Sequence, residues 1–180
     1  SGTSADGIDG CILLTDGQRV EHTDISLCQP YPSPVEKAIQ AARRDPASFL
    51  ADPHRRTALI NAITDSHADS VHNLLRRAAE EGLPAVQLCG FHGQTVYHQP
   101  EAGRTIQLGD GNRLAQLCGL PVIYDFRRAD MEAGGQGAPL APVYHQILLS
   151  QAGCQHPAGF LNLGGIANLT ACADTHLLGF

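Results

Sequence analysis

The residues best suited to chemistry in this chain sit in short clusters broken by glycine. Ser1-Gly2-Thr3-Ser4-Ala5-Asp6-Gly7-Ile8-Asp9 gathers hydroxyls, two carboxylates and two glycines within nine positions. Glycines let backbone N–H groups approach an anion closely, hydroxyls donate to phosphate oxygens, and Asp6 or Asp9 can hold the accompanying magnesium. The same composition also describes a plain polar hairpin turn. A second glycine turn, Gly164-Gly165 between Asn162 and Asn168, carries the same two readings. Together they suit the phosphate tail of a nucleotide gripped between two opposed hairpins.

His92-Gly93-Gln94-Thr95 lies between two strand-like segments, so its side chains should project at a strand end, where α/β sheets place ligands. A lone histidine in such a loop is more often structural than catalytic, and His92 with His98 is too sparse a set for a metal. Asp125-Phe126-Arg127-Arg128-Ala129-Asp130 follows a strand and offers two guanidiniums whose forks suit carboxylate or phosphate. Its plainer reading is a solvated loop with surface ion pairs. Gly109-Asp110-Gly111 mimics the start of a dinucleotide fingerprint but lacks the third glycine, because position 114 is leucine. Lys37, the only lysine, follows Glu36, which excludes a Walker A loop.

These clusters need strands and helices to hold them. Asp6-Gly7 and Asp16-Gly17 flank an apolar run and predict an antiparallel meander of strands at 1–5, 8–15 and 19–25, because Asp-Gly turns favour positive φ. Ser33-Pro34-Val35-Glu36 reads as a capping box opening a helix to about Arg44. Leu59, Ile60, Ile63, Val71, Leu74, Leu75 and Ala78 share one helical face, and Gly82 with Pro84 closes that helix. Strands are expected at 86–89, 95–98, 105–108 and 122–124, with a helix over 112–118 near a capping Asp110. The glycine-rich segment Gly134-Gly135-Gln136-Gly137 leads through Pro139 into a helix ending near Leu149, and strands follow at 160–163 and 168–172. An α/β fold with a mixed sheet is the result. The strand-turn-strand units at the two chain ends echo each other and suggest two related halves.

Composition narrows the function. The chain has 180 residues, 43% hydrophobic and 17% charged, with net charge -6, which is the balance of a soluble protein able to bury a core. No basic run exceeds two arginines, so a nucleic-acid or anionic-membrane partner is not expected. Six cysteines lack any C-x-x-C pair and read as buried thiols of a reducing compartment, and with no apolar span or signal-type leader the expected location is cytoplasmic.

The series Ser1 to Asp9, His92 to Thr95, Gln107-Leu108-Gly109, Asp125 to Asp130, Gly134 to Leu140 and Leu161-Asn162-Leu163-Gly164-Gly165-Ile166-Ala167-Asn168 resembles the anhydro-N-acetylmuramic acid kinase family in motif order along the whole chain. The resemblance implies an actin-like ATPase (ribonuclease H-like) fold of the sugar kinase, Hsp70 and actin superfamily. Residues 1–150 would form the first half, and 151–180 would begin the second. It implies a cytoplasmic enzyme of peptidoglycan recycling that uses ATP, Mg2+ and water to open 1,6-anhydro-N-acetylmuramic acid and phosphorylate its 6-oxygen. A homodimer is compatible with it.

By the match, Gly2 to Asp9 would form one ATP phosphate loop, with Asp6 and Asp9 toward Mg2+. Gly164, Gly165 and Asn168 would form the other loop. His92, Gln94, Thr95 and Gln136 would line the sugar side, supported by Arg127 and Arg128. The family's aspartate base would fall directly after Phe180, with a further strand before Ser1, so the segment alone is expected to be inactive. Two other readings compete: a non-catalytic sugar-binding or regulatory module of the same fold, and a thiol or metal hydrolase using Cys89 and His92.

Overall fold

A computed structural model describes residues 7–163, 167–173 and 176–179. Strand β1 (Gly7–Thr15) and strand β2 (Val20–Pro30) form an antiparallel hairpin whose register runs from Gly7 opposite Pro30 to Thr15 opposite Val20. Its turn is made by Asp16, whose carboxylate accepts from the amides of Gln18 (2.9 Å) and Arg19 (2.7 Å). Gly17 takes the left-handed conformation (φ 88°). The expected two-residue Asp-Gly turn is therefore a four-residue loop with one positive φ, because the aspartate side chain supplies the local bonding. A bulge interrupts the pairing after Cys11, with Asp24 at φ 58° and the Thr23 hydroxyl donating to Ile12 O at 2.8 Å.

Helix α1 (Ser33–Arg44) starts as expected, but its N-cap is Pro32 with no side-chain cap bond. Ser33 already lies inside the helix, so the capping box does not form. Two Asp-Pro pairs set the next starts. Asp45 accepts from Ser48 N to cap helix α2 (Pro46–Ala51), and Asp52 accepts from Arg55 N to cap helix α3 (Pro53–Glu80). On α3 the apolar face holds at both ends, with Leu59, Ile63, Leu74 and Ala78 buried. Between them the helix buries Thr64, Ser66, His67 and Ser70. Each of these turns its side chain back onto the carbonyl four residues earlier, at 2.7 to 3.1 Å, so burial leaves no polar atom unpartnered.

Strand β3 (Cys89–Phe91) begins three residues later than expected and pairs in parallel with strand β6 (Val122–Tyr124). Strands β4 (Gln94–Gln99) and β5 (Arg104–Leu108) form an antiparallel hairpin between them in sequence. Helix α4 (Gly111–Cys118) is capped by Asp110, whose carboxylate accepts from Arg113 N at 3.0 Å. The Asp125 to Asp130 segment is not a loop: helix α5 spans Phe126–Glu132, with Asp125 at φ 62° before it. Helix α6 (Pro142–Gln151) precedes strands β7 (Ala158–Asn162), β8 (Asn168–Ala173) and β9 (His176–Gly179), which form an antiparallel sheet.

The fold is mixed α/β, yet the expected single mixed sheet is absent among the described residues. The strands fall into four small sheets, of which only β3 with β6 is parallel. β1 and β3 flank an apolar cavity of about 800 Å³ instead of pairing. The largest core cluster joins Ile8, Tyr31, Ile39, Phe49, Ile63 and Leu108, packing α1 to α3 against β1 and the β4–β5 hairpin. In the β7–β9 sheet one face turns Phe160, Thr170 and Cys172 toward α6, while Leu161, Leu169 and Leu178 on the other face are 42 to 58% exposed. All six cysteines are free thiols, and no helix among the described residues is long and apolar enough to cross a membrane.

Candidate active site

Strand-end loops and helix starts converge on a cavity of about 520 Å³, a size suited to a small ligand. His92 and Thr95 enter it from the β3–β4 turn and β4, Arg127 from α5, and Asn162 and Asn168 from the facing ends of β7 and β8. The two asparagines are cross-strand partners, so the hairpin register brings them to one place. Ala138 to Pro142 supply an apolar wall. Arg127 is the one residue with a formal charge among the described residues lining it.

The centre of the site is a bonded set. Arg127 Nε donates to His92 Nε2 at 3.0 Å, and its Nη1 donates to Gly137 O at 3.1 Å. An arginine Nε–H can only donate, so Nε2 of His92 must accept and the ring proton must sit on Nδ1. Nδ1 indeed lies 2.9 Å from Gly93 O. His92 is thereby held neutral. Burial pushes its pKa below the ordinary histidine value, and the Arg127 charge adds to this against the opposing bond to Gly93. Across the cavity His145 Nδ1 meets Thr170 Oγ1 at 2.7 Å while its ring stacks on Phe160, centroids 4.1 Å apart. His98, also in the wall, bonds Thr105 Oγ1 at 3.1 Å.

The residues expected at the site therefore separate. His92, Thr95, Arg127 and Asn168 come together. Arg128 does not: it pairs with Asp125 at 2.5 Å, is largely exposed, and lines a neighbouring cavity of about 560 Å³ that shares His92. Gln94 is fully buried beside Tyr31, and Gln136 is exposed and outside the lining of the His92 cavity. Of the first phosphate loop, Gly2, Thr3, Ser4, Ala5 and Asp6 lie outside the described residues, as do Gly164 and Gly165 of the second.

Gly7 is buried where a Cβ would stand 2.8 Å from Gln29 O, and Ile8 belongs to the core. Asp9 is exposed on β1 and belongs to the lining of the apolar cavity there, not to that of the His92 cavity. No three His, Cys, Asp or Glu side chains converge on a metal position among the described residues. His145 and Thr170 carry no sequence signal that marks them as wall residues, whereas Asn162 and Asn168 flank the glycine turn already singled out in the sequence.

This is a mixed α/β protein with a small-molecule cavity where its strand-end loops meet. The chain belongs to the anhydro-N-acetylmuramic acid kinase family, whose model matches residues 1–180. It is 47% identical over 171 residues to the anhydro-N-acetylmuramic acid kinase of Gluconobacter oxydans, covering 94% of this chain and 46% of that protein. The kinase of the same name from Azorhizobium caulinodans is 40% identical over 178 residues, covering 97% of this chain and 47% of the relative. That from Rhodopseudomonas palustris is 39% identical over 183 residues, covering 99% and 49%. The chain spans about half the length of these relatives.

Proposed function

We propose that the complete protein is an ATP-dependent kinase that opens 1,6-anhydro-N-acetylmuramic acid and yields N-acetylmuramic acid 6-phosphate and ADP in cytoplasmic peptidoglycan recycling. Water attacks the anomeric carbon and gives a proton to a general base. The bond from that carbon to the 6-oxygen breaks, and the 6-oxygen takes the γ-phosphoryl group of ATP. The observation that carries this reading is the charge pattern of the cavity, a single guanidinium among the described residues of a wall otherwise made of neutral polar and apolar groups. Such a wall suits a hydroxylated ring bearing one anionic group, with the lactyl carboxylate or the transferring phosphoryl on Arg127.

In this reading the glycine turns at Gly2 and at Gly164–Gly165 hold the ATP phosphates, Asn168 sits where sugar and phosphates meet, and Mg2+ enters on the nucleotide. The actin-like arrangement of two halves, with 151–180 opening the second, draws support from the separate β7–β9 sheet and its second apolar face. An aspartate after Phe180 would be the base. The thiol-hydrolase reading loses ground, since burial raises the Cys89 thiol pKa and Cys89 lines the cavity of β1, apart from the His92 cavity.

The test is ADP release by the complete protein with the anhydro-sugar present. Arg127→Lys keeps charge but loses the fork, and should raise KM or lower kcat about tenfold or more. If Arg127 holds the carboxylate, the same variant leaves turnover of an anhydro-N-acetylglucosamine analogue unchanged. Sugar binding without sugar-dependent ADP release would favour the regulatory-module reading, and wild-type kinetics in the variant would remove Arg127 from the site.

A further inference from the structure

Arg127 aims at the cavity through contacts that extend one layer beyond it. Its Nη1 is held by Gly137 O, and Gly137 N in turn donates to Asp130 Oδ2 at 2.7 Å. Asp130 lies three positions after Arg127 on α5, so the two side chains share one side of the helix. The turn between them is shaped around that carboxylate. Gly135 N donates to Asp130 O at 2.8 Å, and a Cβ at Gly135 would stand 2.2 Å from Asp130 Oδ2. Gly137 has φ 66°, and a Cβ there would press on Met131 Cγ at 2.9 Å. Both glycines are thus required for the turn to fold back onto α5 with its amide on Asp130 and its carbonyl on Arg127.

We propose that Asp130 is a positioning residue: through the Gly134–Gly137 turn it fixes the guanidinium of Arg127, and His92 serves in the same cradle as acceptor for Arg127 Nε. Asp130 acts through Arg127 and is not placed against the ligand. Both nitrogens of the His92 ring are committed, Nδ1 to Gly93 O and Nε2 to Arg127, which leaves it no lone pair for general-base work. Arg127 has five N–H donors, of which Gly137 and His92 take two, and the other three are left for an anionic group of the ligand. The titratable neighbours in the cavity wall are His98 on β4 and His145 on α6, with His67 of α3 near His92, and the neighbouring cavity that shares His92 adds Arg104, Asp125, Arg128 and Glu132. The three histidines have pKa values lowered by burial, so none of them supplies a competing charge near neutral pH.

The part of this inference that concerns the ligand rests on the kinase reading, and the experiment separates the two. In the complete protein labelled with 15N-histidine, the His92 ring should show a single neutral species with its proton on Nδ1. Asp130→Ala should release that tautomer preference and raise KM for the anhydro-sugar about tenfold, with kcat within about a factor of two. Asp130→Asn retains an oxygen acceptor for Gly137 N and should restore both readouts. Gly135→Ala displaces the carboxylate while keeping Asp130 and should reproduce the Asp130→Ala result, which covers the case in which Asp130→Ala fails to fold. An unchanged His92 spectrum in both Asp130→Ala and Gly135→Ala overturns the proposal. A changed spectrum with wild-type KM overturns its extension to the ligand. If the wild-type protein releases no ADP, the kinase reading fails alone, and the ring spectrum still decides whether Asp130 sets the cradle.

Discussion

Acid should loosen this protein chiefly through His67. The ring lies in the middle of α3, only 7% exposed, edge-on to Phe91 with centroids 4.9 Å apart. Its Nδ1 bonds Ile63 O at 2.8 Å. Burial outweighs that bond and lowers the pKa from 6.5 to about 4. The folded state therefore resists a proton that the unfolded chain accepts near pH 6.5. Stability from this group is complete above pH 6.5 and is lost as the pH falls from there toward 4. At about 1.4 kcal/mol for each unit, the whole window amounts to about 3 kcal/mol, and at pH 4.5 to roughly 2.5 kcal/mol. That is a large part of the 5 to 15 kcal/mol typical of a folded domain. The assay is urea unfolding at pH 7.5 and 4.5 for wild type and His67→Gln, which cannot titrate. The variant starts lower at pH 7.5 because it loses the ring contacts, but its drop between the two pH values should be roughly 2.5 kcal/mol smaller. Equal drops in the two proteins would refute the reasoning and place the acid sensitivity in His92, His98 or His145.

Two further outcomes follow from neighbouring geometry. Arg128→Lys should leave KM for the anhydro-sugar unchanged and shift stability by less than about 1 kcal/mol, because Arg128 makes its ion pair with Asp125 from a largely exposed position. A rise in KM equal to that of Arg127→Lys would show that both arginines reach the ligand. Gly111→Ala should cost about 1 to 3 kcal/mol in chemical unfolding, since a Cβ there would stand 2.2 Å from the Tyr124 ring where α4 starts against β6. A neutral result would mean that Tyr124 can swing clear.

The elements that were legible in the sequence are those whose signals are local. Asp110 caps α4 by accepting Arg113 N, and the apolar spacing at Leu59, Ile63, Leu74 and Ala78 marks α3. The same apolar criterion gives no sign of burial at the centre of α3, where Thr64, Ser66, His67 and Ser70 are polar. They are buried all the same, because each satisfies itself on its own helix. The two Asp-Pro helix starts are local signals of the same kind. Sheet membership was not local: β1 and β3 both look like strands of one sheet, yet the pairing depends on partners far along the chain, and here they border a cavity.

The cavity shows where motif reading stops. Arg127-Arg128 offers two equivalent guanidiniums as long as the segment is taken for a loop, since an extended or irregular backbone can turn either toward a ligand. A helix removes that freedom, because consecutive residues point about 100° apart around its axis and only one can face a given wall. The left-handed Asp125 starts α5 directly after β6, which sends Arg127 to His92 and Gly137 and leaves Arg128 to fold back on Asp125. The same helix carries Asp130 around to the side of Arg127, where the Gly134–Gly137 turn closes on it. Glycines at 134, 135 and 137 read from sequence only as a glycine-rich lead into the next helix. Two of the three are fitted against side chains, Gly135 against Asp130 and Gly137 against Met131, and the turn they shape places the Gly137 carbonyl on Arg127.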